Sequence, residues 1–265
     1  MQVMSWKTML VLVAGAALCG GEATPRATRQ AGVMLRLNLP AFRLDLLEGG
    51  VVTATYPVAV GERRYPTRPG AFELTHITWN PWWYPPPSEW ARDETIHPPG
   101  GDNPMGRVKL HYGGPYFLHG TPFENTIGTA ASHGCVRMRD ADARALARTV
   151  NRLAGGGVSD DSLDGIERDS SRTVAVALRQ PVPVEIVYVT IELAAGRLYV
   201  HRDIYRMDRP TEAGVLEVLV AAGLEMERVD RVALARLVRR ARSRSSSLPL
   251  DSLMLPATAI LEDAR

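Results

Sequence analysis

Two residue types are scarce in this 265-residue chain: cysteine, at Cys19 and Cys135 only, and lysine, at Lys7 and Lys109 only. Two cysteines are too few for a disulfide-stapled scaffold, so the chain must be held by a core, and its 45% apolar content is ordinary for a globular protein. The positive charge is carried almost wholly by arginine, and a net charge of +2 argues against nucleic acid as the partner. The cluster Arg239, Arg240, Arg242 and Arg244 reads as the solvated end of a helix. Past the N-terminus there is no apolar run long enough to cross a membrane, and there is no internal repeat. The length admits one large domain or two small ones.

The N-terminus itself has the pattern of a secretion signal. Lys7 precedes the apolar run Met9 to Leu18, and the small residues Gly21 and Ala23 offer a cleavage site, so residues 1–23 are expected to be removed from a periplasmic protein. Cys19 opens a lipoprotein alternative, but Leu18 before it is larger than the small residue a lipidation signal carries. Cleavage would leave Cys135 as the only thiol, with no intrachain disulfide to join. A lone thiol in an oxidising compartment favours a reactive role over a buried, inert one.

Short apolar stretches with partial alternation fill residues 33–60, broken by Gly49-Gly50, and predict strands with a hairpin; Pro57 marks an edge or bulge. Another strand follows over Ala71 to Trp79. The segment from Asn80 to Gly106 is rich in proline and tryptophan, and Pro85, Pro86 and Pro87 exclude an interior strand. An ordered loop of that length serves as a lid or binding loop, with Trp82, Trp83, Tyr84 and Trp90 as its flat faces, or as staples to the sheet. Two strands flank Gly113-Gly114 and place His119 at a strand end. Asp140 then caps a helix carrying Leu146, Ala147, Val150 and Leu153. Residues 159–172 read as a polar loop. Residues 173–180 read as a strand or a short helix end, and strand patterns recur over Val184 to Leu193 and Arg197 to His201, followed by helices near Thr211 to Ala222 and Val229 to Arg242 and a disordered tail from Ser245.

Chemistry concentrates between Tyr116 and Arg139. His119-Gly120 is followed, sixteen positions after the histidine, by Cys135 within Ser132-His133-Gly134-Cys135-Val136-Arg137. An imidazole beside a thiol suits covalent acyl transfer, in which the imidazole takes the thiol proton and the thiolate attacks an acyl carbon. His119 and His133 are both candidate bases. Backbone N–H groups of Gly134 and Cys135 are candidate oxyanion donors, because glycine permits unusual dihedrals and close approach. Arg137, two residues beyond Cys135, either grips a carboxylate of the substrate or locks the loop to Asp140 or Asp142. Ser132 reads as a structural hydroxyl. His119, His133 and Cys135 could also be three ligands of a zinc ion, though no fourth is evident.

These residues resemble the L,D-transpeptidase catalytic domain, the YkuD family, and within it the periplasmic Gram-negative branch. The family pattern is His-Gly, a spacer, then Ser-His-Gly-Cys, an aliphatic residue and Arg or Asn, and it is matched by His119-Gly120 and Ser132 to Arg137. Pro66 to Gly70, the Trp/Pro loop and Asp102 to Gly106 add support, and the similarity runs from Gly32 to about Asp208. The resemblance implies a mainly β fold, a mixed sandwich or partly closed barrel with a helix after the cysteine. Residues 32–208 would form the catalytic domain, 209–244 a helical extension and 245–265 a disordered tail. It implies Cys135 as nucleophile through a thioester, His119 as general base, and His133 as an orienting or alternative base. Gly134 would serve the oxyanion, and Arg137, Gly120, Ser132, Trp82, Trp83 and Tyr84 would line the substrate site. No cofactor or metal is expected. The expected reaction crosslinks third-position diamino acids of peptidoglycan stem peptides with release of D-alanine. Alternatives are a carboxypeptidase, an enzyme linking an outer-membrane lipoprotein to peptidoglycan, and an inactive wall-binding module.

Overall fold

The computed structural model describes residues 32–255; the expected signal segment and Cys19 lie outside the described residues. The described chain divides into two compact units, residues 29–188 and a second unit from Val189 onward.

Strands β1 (Val33–Asn38), β2 (Arg43–Glu48), β3 (Val51–Gly61), β4 (Gly70–Trp79), β5 (Val108–Gly113), β6 (Tyr116–His119), β7 (Ala130–Ser132), β8 (Val136–Met138) and β9 (Val174–Val187) build the first unit. Eight of them close into a ring in the order β2-β1-β9-β4-β5-β6-β8-β3, with β3 returning to β2 and β7 attached to β3. The ring is therefore a fully closed mixed barrel, so the eight strands leave no free edge. Closure depends on β3 changing partners at Pro57. Up to Arg43↔Pro57 it pairs with β2, and immediately afterwards Val58↔Met138 and Ala59↔Arg137 join it to β8. Proline cannot donate to a ladder, so it suits the point where one ladder ends and the next begins. The predicted hairpin at Gly49-Gly50 is present, with φ of 60° and 85°, the left-handed pair that a two-residue turn between twisted strands requires.

One expected break is absent. Residues 174–187 form a single strand of 14 residues despite Pro181 and Pro183. The ladder to β4 slips between Leu74 and His76 opposite this stretch, and the irregularity accommodates the prolines. Residues 160–168, expected as loop, form a helix. Its N-cap Ser159 accepts the Ser162 N–H at 3.3 Å, so composition concealed a short capped helix. With α1 (Asp140–Leu153) preceding it, this helix is α2 (Asp160–Arg168). Leu35, Leu37, Leu74, Leu110, Leu118, Val136, Met138 and Leu146 are all fully buried in this unit.

The long segment between β4 and β5 is organised by Asn103, which is 1% exposed. Its Nδ2 donates to the carbonyls of Pro81 and Pro98 at 2.9 Å, and its Oδ1 accepts the Met105 N–H at 2.8 Å. One buried amide thus satisfies the backbone of a segment that prolines bar from a ladder.

The second unit holds β10 (Ile191–Ala194), β11 (Arg197–Val200) and β12 (Ser246–Pro249) in an antiparallel sheet, with helices α3 (Glu212–Ala221) and α4 (Arg231–Ala241). Its own core includes Leu198, Val200, Val215, Leu219, Leu234, Leu237 and Leu253. Two expectations are corrected here. The division falls at residue 188 rather than 208, because the hairpin of β10 and β11 packs into this second core. Ser246–Pro249 is a strand, not a disordered tail, because pairing with β11 supplies order that its polar composition does not announce. The helices predicted near 211–222 and 229–242 are present, and Asp230 caps α4 by accepting the Val232 and Ala233 N–H groups at 2.9 Å.

Candidate active site

Strands β6 and β8 run parallel and adjacent, with Leu118 opposite Val136 and His119 opposite Arg137. This pairing brings the two halves of the motif together across the spacer. Leu118, Val136 and Met138 are fully buried, and by the two-residue alternation of a strand the side chains between them face the other way. On that face Cys135, just before β8, and Arg137 of β8 stand beside Phe117 and His119 of β6.

His119 is 4% exposed, and its Nδ1 lies 2.6 Å from the Gly120 carbonyl oxygen. A carbonyl only accepts, so Nδ1 carries the proton and the neutral ring presents Nε2 as its basic nitrogen. Burial pulls the imidazole pKa down to about 4; the Gly120 carbonyl opposes that shift, and the charges of Arg137 and Lys109 reinforce it. Burial also raises the Cys135 thiol above its ordinary value, while the Phe117 backbone, Arg137 and Lys109 pull it back. At neutral pH the pair therefore rests as thiol and neutral imidazole, one holding a proton and the other ready to accept it.

The cysteine turn is tightly held. Gly134 has φ of 109°, and a Cβ there would stand 3.1 Å from the Tyr116 ring, so the position requires glycine. Its carbonyl accepts the Thr67 hydroxyl at 2.9 Å, and Thr67 in turn accepts the Gly61 N–H at 2.8 Å. Ser132 donates its hydroxyl to the Cys135 carbonyl and accepts the Gly134 N–H at 3.2 Å, in keeping with a structural hydroxyl. That last bond already engages the Gly134 N–H. The contact of Thr67 with Gly134, 67 positions away, leaves no signal in either local sequence pattern.

Gly120 is required for packing. A Cβ on it would come 2.5 Å from Asp140 Oδ1, and one on Gly106 would come 2.6 Å from the same atom. Asp140 Oδ1 accepts the Arg107 N–H at 2.7 Å, so the two glycines let the start of α1 clasp the strand carrying His119. Asp140 and Asp142 pair with Arg144 and Arg139, at 3.2 and 3.7 Å. Among the described residues Arg137 forms no ion pair with Asp140 or Asp142, and its guanidinium lies 6.0 Å from the Phe123 ring.

The other expected residues are dispersed. His133 is exposed, and its ring lies parallel to Trp90 at 3.9 Å and tilted against Tyr65 at 5.0 Å. It makes no hydrogen bond to Cys135 among the described residues. Trp83 is tied to His97 by ladder bonds of 3.0 Å and an edge contact at 5.5 Å, so it staples the loop. Trp82 and Tyr84 are exposed and stack on one another at 6.2 Å, and among the described residues neither makes a ring contact to the motif. Trp90, not the Trp82 to Tyr84 run, is the loop aromatic that touches the cysteine segment. Among the described residues no group of three His, Cys, Asp or Glu side chains is placed to hold a metal ion.

Residues 33–185 match the family profile described as the YkuD L,D-transpeptidase catalytic domain. The chain belongs to the L,D-transpeptidase family. It is 33% identical over 135 residues to the probable L,D-transpeptidase YcfS of Escherichia coli K12, covering 46% of this chain and 41% of that protein. It is 27% identical over 155 residues to the putative L,D-transpeptidase YqjB of Bacillus subtilis 168, covering 56% and 83%. Among solved structures, L,D-transpeptidase 3 of Mycobacterium tuberculosis is similar at 13% identity and a TM-score of 0.41, covering 59% of this chain and 61% of that one. The matched segment thus spans about two fifths of YcfS. The two halves of the family motif, residues 119–120 and 132–137, come together where β6 and β8 pair. No helix among the described residues is long and apolar enough to cross a membrane.

Proposed function

We propose that this L,D-transpeptidase crosslinks third-position diamino acids of peptidoglycan stem peptides through a thioester on Cys135, and that it works in the periplasm. The observation that carries the reading is the hydrogen bond of His119 Nδ1 to the Gly120 carbonyl, which leaves Nε2 basic on the strand next to the thiol.

In the first step His119 Nε2 takes the Cys135 proton as sulfur attacks the carbonyl of the third stem residue. The oxyanion is met by backbone N–H groups, that of Cys135 first. The carbonyl–nitrogen bond then breaks, the imidazolium returns its proton to the leaving nitrogen, and D-alanine departs. In the second step the side-chain amine of a neighbouring stem attacks the thioester, gives a proton to His119, and forms the new amide. The sulfur leaves and regains the proton. Arg137, beside the nucleophile on its own strand, grips the acyl half of the donor. His133 stacks on Trp90 and so supports the Trp/Pro loop against the cysteine segment; in this reading His133 orients and His119 is the base.

Mass spectrometry of products from purified tetrapeptide muropeptides tests this. Dimers joined between third-position residues with the native chain, and none with Cys135→Ala, are expected. Tripeptide without dimer would replace the crosslinking reaction with hydrolysis or point to a protein acceptor such as a lipoprotein. Unchanged substrate with the native chain would overturn the enzymatic reading.

A further inference from the structure

Lysine is nearly excluded from this sequence, yet the one lysine among the described residues stands in the row that holds the site. The ladder registers Thr78↔Lys109, Lys109↔His119 and His119↔Arg137 align four side chains across β4, β5, β6 and β8. Neighbouring strands are about 4.8 Å apart, so Lys109 is one strand beyond His119 on the side away from Cys135. Its ammonium is 4.9 Å from the centre of the Phe117 ring, and Phe117 is the residue beside the Cys135 turn. Lys109 is half-buried and, among the described residues, forms no ion pair with a carboxylate. The groups around it are Thr78, the phenyl ring of Phe117, His119, His76, the Cys135 thiol, whose ionised form would be the one negative charge among them, and His111, whose imidazole burial holds neutral with a pKa of about 3. A partly desolvated cation with no anion is costly unless a ligand brings one.

The geometry of the cleaved bond says which anion would fit. The leaving nitrogen must face His119, because His119 returns the proton to it. In a C-terminal amino acid the carboxylate carbon is two bonds beyond that nitrogen. With sulfur on the β8 side, those two bonds lead across His119 toward β5. Arg137, on the cysteine strand itself, lies on the opposite side of His119 and serves the half of the donor that stays attached.

We propose that Lys109 binds the free carboxylate of the departing C-terminal residue and so makes the enzyme select donors that end one residue past the scissile bond. This rests on the transpeptidase reading above for the identity of the donor. Lysine suits the position, since its compact ammonium can meet a carboxylate that arrives and leaves each cycle, whereas a planar guanidinium would clamp it.

The test is calorimetric binding to the full chain carrying Cys135→Ala, which cannot turn over. The ligands are a stem tetrapeptide ending in D-alanine and the same peptide with its terminal carboxylate converted to carboxamide. The free acid is expected to bind about tenfold more tightly, a charge-assisted hydrogen bond's worth. Lys109→Met should bring the two within about twofold, Lys109→Arg should restore part of the difference, and Arg137→Met should weaken both peptides alike. A preference that survives Lys109→Met, or no preference at all, overturns the proposal. If Lys109→Met loses its β-sheet circular dichroism, protection of Lys109 against amine acetylation in the unaltered lysine chain decides. The acid should protect it and the amide should not, and equal protection overturns the proposal. Lys109-dependent preference in a native chain that forms no thioester would keep the carboxylate site and overturn the transpeptidase reading; no binding of either peptide would overturn both.

Discussion

Two groups of cations in the barrel unit are treated in opposite ways. At the corner between α1 and α2, Arg144 meets Glu167 at 2.9 Å and Asp140 at 3.2 Å, and Arg148 meets Asp164 at 2.6 Å and Glu167 at 2.9 Å. Those bonds raise both arginines above their ordinary pKa against the effect of burial. On the face that holds Cys135, burial lowers Lys109 and Arg137, and the only opposing influence on each is the Cys135 thiolate itself. The first group spends its charge on holding two helices together. The second has no carboxylate partner among the described residues, and that contrast separates the two groups more surely than the count of charges does.

The largest effect that tests this contrast is acid sensitivity. His119 and His111 have folded pKa values of about 4 and about 3, below the 6.5 of a free imidazole. As pH falls through 6.5 the unfolded chain takes up these protons and the folded chain does not. Stability should therefore be flat above that value and decline from about pH 6.5 toward pH 4, by up to about 1.4 kcal/mol per pH unit for each histidine. Urea melts across this range check it, and His119→Gln should remove one proton's share of the slope. A slope unchanged in that variant would mean the face is less desolvated than its burial implies.

Gly120→Ala comes next. The added methyl must displace Asp140 or the strand bearing His119, at a cost of about 1–3 kcal/mol, with a loss of turnover larger than the loss of stability. Glu167→Gln attacks the structural group, weakening its bonds to both arginines. It should lower stability by about 1–2 kcal/mol and leave turnover within about twofold, which would confirm that the two groups are separate. A comparable fall in turnover would merge them. Trp90→Ala should cost the least, about 0.5–1.5 kcal/mol from the lost stack on His133, and should show as a raised KM more than a lowered kcat.

Much of this site was legible before any coordinates. The spacing of His119-Gly120 and Ser132 to Arg137, the strand alternation around them and the helix after Asp140 are local patterns, and the structure contains each of them. Less was visible where order comes from a distant partner. Residues 160–168 look like a loop until Arg144 and Arg148 of α1 hold Glu167, β12 looks disordered until β11 pairs with it, and β9 looks broken until its irregular register absorbs the prolines. Trp90 could not be ranked above Trp82, Trp83 and Tyr84 by composition, since only contact with His133 distinguishes it.

By itself the sequence determined the chemical inventory: one thiol at a glycine turn, an imidazole at a strand end, and a motif that names the family. Tertiary structure decided how that inventory is wired. It set which nitrogen of His119 carries the proton, gave Asp140 and Asp142 arginine partners other than Arg137, and put Lys109 one strand beyond His119. The physical reason is that residue type and local period fix which face a side chain takes, whereas its neighbours across a barrel depend on ladder registers set by the whole closed ring.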